Sequence, residues 1–271
     1  MTQLTNQHGI GVSVLLLSFS IWFINAPNAM ADALRLSCLS PPYSKAITPS
    51  EQRLLGLVTY LRSDIVEFPA LLEALEAQGP DICLSDALVL EKAFFEPATK
   101  RIVLSEDLEN GLARAVLVHE LRHVEQFARG ICPSDRLSMK DYARAALALE
   151  ADATTVTLLV AWRLSEAGDT APWDAIAACT MTSDIADSFS SVMRATGNVS
   201  RAAQASFEEW YALFDRRERY YIANCSGYLD RQDDAHLIPS YSQLAPDYLV
   251  QVCVLPDGST YTCTDEAGIR W

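Results

Sequence analysis

His119, Glu120 and His123 stand in the order His-Glu-Leu-Arg-His. On an α-helix, positions i and i+4 project from one face, a turn apart. Two imidazoles placed so can offer nitrogens to a single cation at about 2.0–2.1 Å. Imidazole suits zinc better than magnesium or calcium, which prefer oxygen. Glu120 lies about 100° further round the helix, near enough to reach a water on the zinc without being a ligand. Zinc lowers the pKa of such a water to about 7, and a carboxylate beside it can act as general base. The chemistry implied is attack of activated water on a polarised carbonyl.

A third ligand is needed. The extended form H-E-x-x-H-x-x-G-x-x-H is absent, because Gln126 and Arg129 occupy its last two places. His8 lies near the N-terminus, so His236 is the one other imidazole on offer. An acid is the better candidate. Glu150 and Asp152 lie in an apolar run with Ala146, Leu147, Leu149, Ala153, Val156 and Leu158, and acids are rarely buried unless paired or metal-bound. Two residues apart on a helix is about 200°, so both cannot face one ion. Glu150 is taken as the ligand, with Asp152 as partner to a ligating histidine or as the alternative ligand. The plainer reading has these acids facing water or paired with an arginine such as Arg144.

Other polar residues have plainer readings too. Arg114, Arg122, Glu125 and Arg129 read as one solvated stripe. Gln126 either borders the cleft or is satisfied locally. A donor to stabilise developing negative charge could be Tyr142, Tyr211, Tyr220, Tyr221 or His236, with none favoured. Phe207, Trp210, Tyr211 and Phe214 have helical spacing and read as core. No G-x-S-x-G, P-loop or G-x-G-x-x-G motif is present.

These residues need elements to carry them. Thr48-Pro49-Ser50-Glu51 predicts a capping box opening a helix. A second short helix is expected from Pro69 to before Gly79-Pro80. Leu88 to Phe95 and Arg101 to Leu104 predict two strands joined by Glu96–Lys100. Ser105 is expected to cap the long helix that carries the histidines and stops at Gly130. Ser138 with Asp141 predicts a helix lasting to Gly168. Ser200 opens another, through Trp210 to about Asn224, and a hairpin is expected about Pro256.

The remaining composition narrows the function. The chain has 271 residues, with 35 acids against 21 bases and a formal charge of −14. That surface repels phosphate backbones, so nucleic acid is not an expected partner. Ile10 to Ile24 is uncharged but shorter than the ~20 residues a bilayer span needs. Ala29-Met30-Ala31 follows, so 1–31 reads as a signal peptide, although its leader lacks Lys and Arg. An exported protein is expected, periplasmic or secreted, without stable membrane insertion after cleavage. All seven cysteines lie beyond residue 31, where an oxidising compartment would allow disulfides. Cys253 and Cys263, either side of a Pro-Asp-Gly turn, are the pair most easily bridged.

The HELRH motif with a glutamate on a following helix resembles the zincin metallopeptidases, specifically their glutamate-liganded, gluzincin-like branch. The stretch FFEPATKRIVL resembles the hairpin that precedes the active-site helix in bacterial members. The likeness spans about Leu88 to Leu164. It implies zinc held by His119, His123 and Glu150, Glu120 as catalytic acid/base, and a peptide or protein substrate. It also implies an edge strand that takes the substrate in extended form, here Arg101 to Leu104. Asp152 follows Glu150 by two places where four is usual in that branch. The expected fold is α+β and helix-rich: a zincin-like core with a small β element before the HExxH helix, and flanking helices. The expected organisation is a helical segment over 32–84, the core over 85–170, and a C-terminal helical segment over 171–271 ending in a hairpin. The rival to an exported zinc peptidase is a non-proteolytic, metal-binding module of the cell envelope on the same scaffold.

Overall fold

Thr48 opens the first long helix as its neighbours predict. Its side chain accepts from the Glu51 amide, and the Glu51 carboxylate accepts in return from the Thr48 amide. Two amides that no helical carbonyl can reach are thereby satisfied. This computed structural model describes residues 36–88, 92–238 and 241–265. The expected signal peptide, 1–31, lies outside them.

The capped helix is α1, Pro49–Asp64. Helix α2, Pro69–Glu73, runs on into a π-helical turn, Ala74–Gln78, that ends at left-handed Gly79. The strands are β1, Leu36–Leu39, β2, Asp81–Ser85, β3, Ala93–Glu96, and β4, Arg101–Ser105. They form one sheet in the order β1-β2-β4-β3. Strand β2 runs parallel to β4, and the outer strands are antiparallel to their neighbours.

Three expectations change here. Strands β1 and β2 lie in the stretch 32–84 that reads as helical. Each is a short run without a clear alternation, and what makes them strands is their pairing. A disulfide joins Cys38 to Cys83, which stand directly opposite in the β1–β2 register. The strand Arg101 to Leu104 is not an edge, because β2 and β3 flank it. Ser105 is not a helix cap. It is the last residue of β4, its amide donates to Lys92 O, and Glu106 donates to Ser85 O.

The long helix therefore starts later, as α3, Asn110–Ala128. Helix α4, Met139–Glu166, is capped by the Ser138 side chain on the Asp141 amide. By length and composition α4 could cross a bilayer, yet 94% of its most apolar window is buried inside the fold. It is the central core helix, packed against α3 and the helices that follow.

Those helices are α5, Ala171–Ala178, α6, Ser183–Thr196, α7, Val199–Ala212, and α8, Phe214–Asp234. The single helix expected from Ser200 is broken at Leu213, whose backbone is extended. Arg216 holds the break: its guanidinium donates to Glu209 O and Trp210 O near the end of α7, to Asp184 of α6 and to Met181 O just before α6. Phe207, Trp210 and Tyr211 are buried, whereas Phe214, past the break, is 60% exposed. A short α9, Tyr248–Val252, leads into the C-terminal loop. In place of the expected hairpin there is one isolated bridge, Val254 to Thr260, inside a loop closed by the Cys253–Cys263 disulfide. The whole is helix-rich α+β.

Candidate functional site

Helix α3 presents His119 and His123 on one face, with ring centroids 4.8 Å apart and planes at 80°. Helix α4 crosses that face and adds Glu150. His119 Nε2 lies 3.1 Å from His123 Nε2 and 3.5 Å from Glu150 Oε2. One donor atom from each of the three lies within 4.8 Å of the others, so the group could hold a metal ion. The exposures are 4% for His119, 2% for Glu120, 3% for His123 and 1% for Glu150.

The surroundings act in opposite senses on the two rings. Burial works against a charged His119 ring. The Glu150 hydrogen bond and the charges of Glu120, Glu150 and Asp152 nevertheless hold its pKa above the ordinary value. Burial, then the neighbouring His119 charge, pushes His123 well below the ordinary value. A proton therefore sits more readily on His119 than on His123.

His123 is oriented by a relay. Gln126 Nε2 donates to Leu149 O at 3.2 Å and to Asp152 Oδ2 at 2.7 Å. Its Oε1 is left facing His123 Nδ1 at 2.7 Å. An amide oxygen only accepts, so Nδ1 carries the proton and Nε2 keeps its lone pair for the space shared with His119 and Glu150. Asp152 stands outside the three-donor group and reaches His123 only through Gln126. It also accepts from Arg122 Nε and from the Tyr261 hydroxyl, each at 2.8 Å.

The stripe that reads as solvated is mostly interior. Arg122 is 0% exposed, and Glu125 and Arg114 are also buried. Arg122 donates to Asp152, to Glu125 at 2.7 Å and to Val254 O at 2.7 Å. Arg129 donates to Gln251 O. The C-terminal segment lays its carbonyls over this side of α3, and a helical pattern cannot register a chain arriving from 130 residues away. Arg144 pairs with Asp265 rather than with Glu150 or Asp152.

A family profile described as "Putative metallopeptidase family (DUF6782)" matches residues 28–263. The chain belongs to that family. No curated protein and no solved structure matches it. Membership implies a metal cofactor and peptide or protein substrates.

In this metallopeptidase-family chain the remaining candidates sit in different surroundings. Tyr220 of α8 packs edge-on against Trp210, and burial, then the charge of Glu150, pushes its phenol well above the ordinary value. Tyr142 lies against Tyr228 and under Arg231. Tyr211 packs on Phe207 and Trp210. Tyr221 pairs with Cys225. His236 is exposed just past the end of α8. Sequence reasoning missed Arg122 and Tyr261 as neighbours of the group. The one available signal was an arginine set between two histidines on a helix face.

A cavity of about 20 Å³ opens beside His119, walled by Leu112, Val116, Ile176, Thr154, Thr157 and Thr182. The three threonine hydroxyls donate to backbone carbonyls at Glu150, Ala153 and Ile176. They therefore turn methyl groups and lone pairs, not donors, toward other contacts.

Proposed function

We propose that this chain is an exported, zinc-dependent metallopeptidase of gluzincin-like type. His119, His123 and Glu150 would hold the zinc, and Glu120 would act as acid/base. The observation that carries the reading is the spacing of the donors. Four ligands set tetrahedrally at zinc distances stand about 3.3 Å apart, and His119 Nε2 stands 3.1 Å from His123 Nε2 and 3.5 Å from Glu150 Oε2, either side of that value. A zinc ion supplies Lewis acidity, polarising a carbonyl and making a water easy to deprotonate near neutral pH.

The residues of the chain do the rest. His123 is held as the Nδ1–H tautomer by Gln126. Glu120 accepts the proton of the attacking water on its carboxylate and returns it to the leaving amine. Tyr220, whose phenol stays protonated under burial and the Glu150 charge, would be the donor to the negative charge that develops on the carbonyl oxygen. The substrate would pair in extended form with β3, an outer strand of the sheet and close to α3 through Phe95 and Phe127, whose rings lie 6.0 Å apart. Two disulfides accord with an oxidising compartment.

One observation favours the rival, a metal-binding module without proteolysis: all four principal residues are almost wholly buried. Glu120→Gln discriminates. In the peptidase, the variant keeps one zinc per chain and loses hydrolysis of a peptide library by at least a hundredfold. In the rival, wild type and variant hold zinc alike and neither cleaves. His119→Ala loses the metal in both cases.

A further inference from the structure

We propose that the C-terminal loop closed by Cys253–Cys263 is part of the metal centre, with Tyr261 a positioning residue that acts on His123 through Asp152 and Gln126. The inference rests on reading His119, His123 and Glu150 as zinc ligands. Its observation is separate from that reading.

Asp152 holds Gln126 in place only while its carboxylate is held. Oδ2 accepts from both Gln126 and Arg122, and Oδ1 accepts from the Tyr261 hydroxyl. Remove the hydroxyl and Oδ1, in a fully buried carboxylate, loses the donor that fixes its plane. Asp152 is then held through Oδ2 alone, by Arg122 and Gln126, and its carboxylate can turn about that side, which loosens the acceptor that, with Leu149 O, sets the Gln126 amide and so the proton on His123 Nδ1. Burial and the Asp152 charge push the Tyr261 phenol well above its ordinary value, so it remains a donor.

Little regular structure holds Tyr261 where it is. Its amide donates to Cys253 O at 3.2 Å, Leu255 donates to Ser259 O at 2.7 Å, and its ring lies 6.0 Å from Phe207. The segment has one isolated β-bridge, and the disulfide spans it from Cys253 to Cys263. The same segment supplies Val254 O to Arg122 and Gln251 O to Arg129. So two polar contacts from the cross-linked loop, Tyr261 to Asp152 and Val254 O to Arg122, meet at the Asp152–Arg122 pair beside Gln126, and Gln251 O adds a third just before the loop. A cross-link contributes by removing the alternative conformations such a loop would otherwise sample.

The test compares the mature chain with its Tyr261→Phe variant. Zinc affinity is measured by competition with a chromogenic chelator, and ligand geometry by the visible spectrum of the cobalt(II)-substituted protein. Tyr261→Phe is expected to keep its circular dichroism, lose ten- to hundredfold in zinc affinity and shift the cobalt bands. Cys253→Ser with Cys263→Ser should give a similar loss, and adding Tyr261→Phe to it should cost little more. Cys38→Ser with Cys83→Ser should lower the melting temperature and leave zinc affinity as it was. If Tyr261→Phe does not fold, the Cys253/Cys263 variant decides by the same titration. Wild-type affinity and an unshifted cobalt spectrum in Tyr261→Phe would overturn the proposal while the ligand reading stands. A wild-type chain that takes up no stoichiometric zinc removes both.

Discussion

Asp152 and His123 do not touch, and a single side-chain amide joins them. Gln126 donates to Asp152 Oδ2 and accepts from His123 Nδ1, each at 2.7 Å. Asp152 and the Leu149 carbonyl, both acceptors, thus set which way the amide points, and the amide decides which nitrogen of His123 is bare. Gln126→Leu keeps the volume and removes the relay. Zinc affinity is expected to fall ten- to hundredfold, and stability by about 1–3 kcal/mol because His123 Nδ1–H and Leu149 O lose a partner. Unchanged affinity in a chelator titration would exclude the relay.

Arg122 is the cation between two buried acids, Asp152 and Glu125. Arg122→Met would leave the buried Asp152 carboxylate without its cation and Glu125 with Arg129 alone, at a cost of about 3–5 kcal/mol. Arg122→Lys should restore little, because one ammonium cannot meet Asp152, Glu125 and Val254 O at once. Urea unfolding of the two variants reads this directly, and a lysine variant as stable as wild type would contradict it.

Gly111 lies in the first turn of α3, where α5 comes close. A Cβ there would stand 2.6 Å from the Ala171 carbonyl oxygen, so backbone must move. Gly111→Ala is expected to cost about 1–3 kcal/mol. The same change at Gly56, inside α1 and open within 4 Å, should stabilise by up to ~1 kcal/mol through helix propensity. Thermal melts of the pair separate crowding from propensity, and equal shifts would refute the contrast.

Burial lifts the Asp64 carboxyl above its ordinary 3.8, although Arg114 donates to it twice, at 3.0 and 2.8 Å. A raised folded value means folding takes up a proton. The contribution is fully present below the unfolded pKa and is lost as pH rises through the folded one. Asp64→Asn should flatten the stability curve in that window, from about pH 4 upward. Denaturant midpoints taken at small pH steps check this, and parallel curves for variant and wild type would count against it.

Much of the three-donor group is local, and local patterns are readable. His119 and His123 share a face because helical geometry places i and i+4 together. Ser138 caps α4 because its side chain reaches an amide three residues on. Glu150 and Asp152 draw notice as acids in an apolar run, and their 200° separation puts one beside His119 and the other against Gln126 and Arg122. The Cys253–Cys263 bridge closes a short loop over a turn.

Everything that depends on a partner far along the chain was out of reach. Strand β2 is a strand because β1 and β4 pair with it, and β4 is interior for the same reason. The helix expected to run on past Leu213 breaks where Arg216 finds the last carbonyls of α7 and Asp184 of α6. Arg122 reads as a surface charge until Val254 O and Asp152 arrive, and Tyr261 carries no signal until its hydroxyl meets a carboxylate 109 residues away. The residue order thus settles which groups can chelate and how a helix spaces them, since that geometry repeats every turn. Folding alone settles which buried polar atoms find partners, since a hydrogen bond needs its second atom within about 3 Å and that atom comes from elsewhere in the chain.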